Sequence, residues 1–183
     1  MRISELELKG RRHILCLNLW ALKRIYAHWG DYGAAMHAIA GSSALERTGD
    51  QFVLLHALLL GGAIYAAEMG MENPEPPEMT ELIKDGLEEI LPQLMPKLLE
   101  ALERGMSGEI KIQKDTGDGK SSGALAAEWY LWYGLKIGLS YRETHALPLG
   151  ELLDLISVEQ IKHEGAKLQQ SAEDDFWALL ERR

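Results

Sequence analysis

The stretch Phe52-Val-Leu-Leu-His-Ala-Leu-Leu-Leu-Gly-Gly-Ala-Ile-Tyr-Ala-Ala67 decides the fold. It is the longest apolar run in the chain, interrupted by His56 and the pair Gly61-Gly62. It falls short of the roughly 20 apolar residues that a membrane span needs. It reads as the middle of a core helix covering about 50–69, which makes the chain mainly α.

Upstream, Ser4, Leu6 and Leu8 alternate with Glu5 and Glu7, the pattern of a half-buried strand. Lys9-Gly10-Arg11-Arg12 reads as a turn and His13 to Leu17 as a second strand, so the chain opens on a short hairpin. Asn18 is a helix N-cap. Leu19, Leu22, Tyr26 and Trp29 follow at helical spacing, and Gly30 ends that helix. A shorter helix is expected over 32–39, closed by Gly41-Ser42-Ser43.

Downstream, Pro74, Pro76 and Pro77 break the chain, and Thr80 is the expected cap of the next helix. Pro92 and Pro96 each remove a backbone donor, so that helix should kink or divide. Residues 107–123 are rich in Gly, Ser, Lys and Asp and read as a flexible linker. An aromatic helix, Ala124 to Gly138, comes next. Ser140-Tyr-Arg-Glu143 is a capping box opening a short helix that Leu147-Pro148 stops. Leu149, Leu152, Leu153 and Ile156 mark a last long helix reaching about Leu168, with Glu159–His163 and Glu164–Lys167 as surface pairs. The polar stretch 169–183 holds Phe176, Trp177, Leu179 and Leu180, a final helical turn or docking peptide. The expected organisation is therefore 1–106, hairpin plus helical bundle; 107–123, linker; and 124–183, a small helical unit.

The chain has 183 residues, 46% of them hydrophobic, enough for a packed core. Its net charge is −9, and both parts are acidic: 10 basic and 15 acidic groups in 1–106, 9 and 13 in 107–183. Phosphate-backbone binding needs clustered Lys and Arg and is disfavoured. The single cysteine, Cys16, lies in an apolar run, so no disulfide framework exists, which fits a reducing cytosol. The first ten residues contain no signal-peptide core.

No catalytic constellation emerges. The six histidines contain no His-x3-His pair, so no metal ligand set and no cofactor is expected. Gly117-x-Gly119-Lys120-Ser121 lacks the phosphate-loop spacing, since position 114 is Lys, and lacks a leading strand. Gly41-Ser42-Ser43-Ala44-Leu45 lacks the second glycine of a nucleophile elbow. His56 reads as a hydrogen-bonded core histidine, with a helical active site around it as the rival. The carboxylates fall on polar faces and in linkers, with no cleft to split their pKa values.

Contact surfaces are more informative. Trp129, Tyr130, Trp132 and Tyr133 are four aromatics in five positions, and Glu128 and Lys136 share one narrow polar face. They read either as the core of the C-terminal unit or as a partner surface. Some 45 residues are too few to bury four large rings unaided, so some rings should meet the N-terminal domain or a partner. The same two readings hold for Leu91, Leu94, Met95, Leu98 and Leu99 on the proline-broken helix.

Two stretches carry a family resemblance. Ile14-Leu-Cys-Leu-Asn-Leu-Trp-Ala-Leu-Lys-Arg-Ile-Tyr-Ala-His-Trp-Gly30, with the apolar helix and proline break after it, resembles the tail assembly chaperones of long-tailed bacteriophages. Trp129-Tyr-Leu-Trp-Tyr-Gly-Leu-Lys-Ile-Gly-Leu-Ser-Tyr-Arg-Glu143 and Leu147-Pro-Leu-Gly-Glu-Leu-Leu-Asp-Leu-Ile156 resemble the extension of the longer, frameshift-type product. The resemblance implies a non-enzymatic protein whose first domain coats the tape measure protein and whose second unit recruits tail tube subunits. It further implies action in the host cytoplasm and absence from the finished virion. A helical adaptor or regulator of one folded partner is the alternative. A homo-oligomer would suit a coat.

Overall fold

The computed structural model describes residues 2–41, 44–110 and 127–166. The chain is mainly helical, with a two-stranded hairpin at its start. The phosphate-loop look-alike, the linker at 111–123 and the stretch beyond Ala166 lie outside the described residues.

Strand β1 (Ser4–Leu8) pairs antiparallel with β2 (Arg11–Leu15), in register Ser4 to Leu15, Leu6 to His13 and Leu8 to Arg11. The turn is only Lys9-Gly10, both left-handed at φ 51° and 67°, so β2 starts two residues earlier than expected. Two left-handed turn residues match the strand twist, and Gly10 adopts that geometry without penalty. Ile3, Leu6, Leu8, Ile14 and Leu15 are buried while Glu5, Glu7 and Arg12 face water.

Helices α1 (Leu19–Trp29) and α2 (Tyr32–Ile39) are capped by Asn18 and Asp31, whose side chains accept from Ala21 N and Ala34 N. Gly30, at φ 88°, closes α1. Helix α3 (Ala44–Met69) is 26 residues long and starts six residues before the expected position. Its segment Arg47–Met69 is long and apolar enough to cross a membrane by length and composition. In this structure half of its most apolar part is buried, and β2, α1, α2, α4, α5 and α7 all pack on it. Phe52, Leu54, Leu55, Leu58 and Leu59 fill the core with Leu15, Leu17, Leu19, Leu22 and Ile25.

The approach of β2 to α3 is made by glycine. A Cβ on Gly62 would stand 1.8 Å from Ile14 O, and one on Gly61 2.3 Å from Cys16 O. Cys16 N–H reaches Leu58 O at 3.1 Å across that gap.

Helix α4 (Met79–Glu89) starts after Glu78 with no side-chain cap, so Thr80 does not play that part; it already lies inside the helix. The proline-containing helix does divide, at Ile90, and α5 (Leu91–Met106) carries Pro92 in its first turn and Pro96 inside. A proline in the first turn costs little, because those N–H groups have no helical partner.

Helices α6 (Ala127–Lys136), α7 (Tyr141–Ala146) and α8 (Leu149–His163) pack onto the first part of the chain: α6 and α7 on α1, α7 on α3, α8 on α5. The Ser140–Glu143 capping box is present, and Gly138 (φ 93°) follows α6. Leu149 N donates to Leu17 O at 2.8 Å. Asp154 on α8 accepts from Ile110 N (2.9 Å) and Glu109 N (3.1 Å) and ion-pairs with Arg2. Helix α8 ends five residues short of the expected Leu168, where Gly165 takes a left-handed φ of 75°.

Candidate functional surface

The eight residues singled out for partner binding separate into core and surface. Leu94 and Leu98 are fully buried, which removes them from any contact surface. With Ala101, Leu102 and Gly105 they form the inward stripe of α5, and the helical period places that stripe against the main core. Leu91 and Leu99 lie on the outer side of the same helix and are exposed. Met95 sits between, half-buried, with its Sδ 3.7 Å from Gln51 Nε2.

The aromatic quartet divides too. Tyr133 is buried against Leu152 and Ile156 of α8 and is a core residue. Its hydroxyl accepts from Gln160 Nε2 (3.3 Å) and donates to Glu164 (3.4 Å). Tyr130 is half-buried against the main core. Burial pushes its phenol pKa upward, with Tyr26 adding a smaller effect in the same direction. Trp129 and Trp132 point outward and keep 44% and 50% of their area exposed. Gly134 lets α6 lie against Thr144 of α7: a Cβ there would stand 2.3 Å from the Thr144 methyl.

The two indoles stack on each other with centroids 5.3 Å apart and planes 14° from parallel. Both meet the Tyr133 ring edge-on, at 5.2 and 4.9 Å. Lys136 Nζ lies 5.5 Å from the Trp132 centroid and 5.3 Å from that of Tyr133. Glu164 holds this ammonium at 2.5 Å, and its hydrogen bond raises the lysine pKa. Glu164 thus pairs with Lys136; its expected partner Lys167 lies outside the described residues. The expected Glu159–His163 pair is present at 3.7 Å. The product is an apolar platform whose rings pack on one another, bordered by the Lys136 ammonium.

Four exposed residues extend these surfaces. Leu135, three positions after Trp132, widens the platform. Ile83 and Leu87 join Leu91 at a spacing of four, an outward stripe running from α4 into α5. That spacing is written in the sequence, yet the division at Ile90 hides it. Tyr141 is exposed beside His145, centroids 4.1 Å apart.

The histidines are dispersed. His56 is half-buried in a shallow recess with Arg24, His28, Val53 and Met79, and has no hydrogen-bond partner among the described residues. Burial lowers its pKa, and Arg24 lowers it further. Among the described residues it is therefore a half-buried ring without the expected hydrogen bond. Among the described residues no group of three His, Cys, Asp or Glu side chains is placed to hold a metal ion. A cleft of about 550 Å³ between the hairpin and α4 is lined by Lys9, Arg11, His13, Glu75, Glu78 and Asp85 among others. Lys9 Nζ and Asp85 neutralise each other there at 2.5 Å. No family model, no curated protein and no solved structure matches this chain.

Proposed function

We propose that this protein is a non-enzymatic tail assembly chaperone that holds amphipathic helices of a tape measure protein and recruits tail tube subunits. The observation that carries it is the Trp129–Trp132 platform: two large rings, supported from beneath and left open, on an acidic chain of net charge −9. Half-exposed indoles leave on the order of 100 Å² apiece. Covering both contributes about 5 kcal/mol gross, enough for weak capture but not for a permanent complex. Weak, reversible capture of greasy helices while remaining soluble is what a holdase requires. The resemblance of residues 14–30 and 129–156 to that family names the client.

The test is co-expression with a long, helix-rich tape measure protein. The chain should co-purify with it and raise its soluble fraction, and Trp129→Ala with Trp132→Ala should reduce both. A client that stays insoluble beside the wild-type chain refutes the proposal.

A second reading, a helical adaptor with one rigid interface, is favoured by the way α6–α8 lock onto the first part through Asn18 and Leu17. It requires a single folded partner bound at fixed stoichiometry. An isolated amphipathic tape-measure helix separates the two: the chaperone captures it through Trp129 and Trp132, whereas an adaptor binds only its folded partner.

A further inference from the structure

The cleft between the hairpin and α4 holds a buried polar group that the fold leaves unused. His13 stands opposite Leu6 on the core face of the hairpin, while Arg12 faces water. The His13 ring is 5% exposed and lines the cleft. Its Nδ1 is shut from water and has no hydrogen-bond partner among the described residues. Buried polar atoms nearly always find a partner, so one left bare beside an open cleft marks the place of a ligand group. Burial lowers the pKa of this ring and Arg11 lowers it further, so near neutral pH it is uncharged and carries one bare acceptor nitrogen.

The rest of the lining is rich in acceptors. The carboxylates of Glu75, Glu78 and Glu81 make no ion pair or hydrogen bond among the described residues, whereas Lys9 occupies Asp85 at 2.5 Å. Four carboxylates against Lys9 and Arg11 leave the cleft at a formal charge of −2. Leu8, Leu82, Pro76 and Pro77 supply its apolar wall, and its 550 Å³ is the size of a small-ligand site. The net negative charge disfavours phosphates and carboxylates. An inorganic cation lacks its ligands, since no three His, Cys, Asp or Glu side chains among the described residues are placed to hold one. An ammonium on a methylene chain matches both halves of the lining. It brings three donors and no acceptor, and its stem covers apolar surface.

We infer that this cleft binds a primary alkylammonium group, its head shared by the glutamates and the His13 ring and its methylenes along Pro76, Pro77 and Leu82. Two sources share that chemistry: a free aliphatic diamine, and the lysine side chain of a bound protein. The site is built from other elements than the Trp129–Trp132 platform and does not depend on the role proposed for it.

The test follows the ring nitrogens of the histidines by NMR in the full chain at neutral pH. Titration with cadaverine should move the bare nitrogen of His13, as a hydrogen bond to it requires, and leave those of His145 in place. Glu75→Gln combined with Glu81→Gln should weaken binding about ten-fold, the sum of two partly solvated charge contacts. Glu103→Gln combined with Glu128→Gln removes the same charge elsewhere and should leave binding unchanged. A response to cadaverine alone assigns the site to a free diamine. An equal response to Nα-acetyl-lysine methylamide assigns it to a lysine side chain. A His13 signal that neither compound moves overturns the proposal. So does an equal response to tetramethylammonium, which has the charge without the donors, and so does equal weakening by the two pairs of substitutions.

Discussion

The side-chain amide of Asn18 donates to Ala146 O, 3.3 Å away across 128 positions of sequence. The same amide reaches Gly61 O at 2.9 Å, and its oxygen accepts from Ala21 N at 3.0 Å. One fully buried side chain thus caps α1 and ties it to α3 and α7. Asn18→Ala removes the cap and takes away the side-chain donor shared by Gly61 O and Ala146 O. We expect a loss of about 2–4 kcal/mol, a fall of roughly 5–15 °C in Tm for a chain of this size. Asn18→Asp keeps the cap oxygen but buries a charge, and should fare no better. A thermal melt within 2 °C of wild type for either variant would remove Asn18 from this role.

Glycines in α3 should respond in opposite directions. Gly62→Ala forces a methyl into Ile14 O and must push β2 off the helix, costing more than about 2 kcal/mol. Gly49, in the same helix, has nothing within 4 Å of a built Cβ. Gly49→Ala should therefore gain up to about 1 kcal/mol from helix propensity. Chemical denaturation of the pair decides it; equal effects would mean that β2 does not rest on α3 as described.

What the sequence made legible was local. The strand alternation at Ser4–Leu8, the cap at Asn18, the stop at Gly30 and the box at Ser140–Glu143 each depend on neighbours within four positions. The platform was legible only as an aromatic cluster. Whether Tyr133 or Trp132 faces inward depends on where α8 lies, which no spacing within α6 encodes. Leu94 and Leu91 likewise sit in one apolar helix, and only the elements packed on it, α3, α4, α8 and β1, separate core from surface. Asn18 was recognised as a cap, while its link to Ala146 belongs to tertiary structure.

Acid should weaken this fold through its buried histidines. Burial lowers the pKa of His13, with Arg11 acting the same way. Burial also lowers that of His145, and Lys23 adds to it against a hydrogen bond to Tyr141 O. A histidine depressed in the folded state binds its proton more readily when unfolded. Its effect is absent above the ordinary value of 6.5, and stability falls as pH drops below that value towards the folded pKa. The urea midpoint should decline between pH 7 and 5, and His145→Gln should flatten the decline. A midpoint that is flat over this window, or rises towards acid, contradicts the burial of these rings.

Cys16 should serve as a reporter of global opening. It is fully buried, and burial drives its thiol pKa far upward, with Glu151 adding slightly. Thiolate is the reactive form, so a thiol reagent at pH 8 should label it no faster than the chain unfolds. Gly62→Ala should accelerate labelling by opening β2. Labelling within seconds in the native protein would show that β2 leaves α3 far more readily than its packing implies.

The sharpest contrast lies between Leu98 and Trp132, both large apolar residues on helices whose sequence reads either as core or as partner surface. Leu98 is fully enclosed in the main core, whereas Trp132 keeps half its area in water. Leu98→Ala leaves a cavity and should cost about 2–5 kcal/mol. Trp132→Ala loses one stacked ring face and should cost about 1 kcal/mol, the scale of an aromatic pair. Binding should invert the order. Compared at a temperature where both variants remain folded, Leu98→Ala should capture a tape-measure helix as the wild type does. Trp132→Ala should lose at least ten-fold, because an aromatic anchor at the centre of a small interface contributes 1–2 kcal/mol or more. If Trp132→Ala binds normally while folded, the platform is not the contact surface, and the outward stripe of Ile83, Leu87 and Leu91 becomes the next candidate.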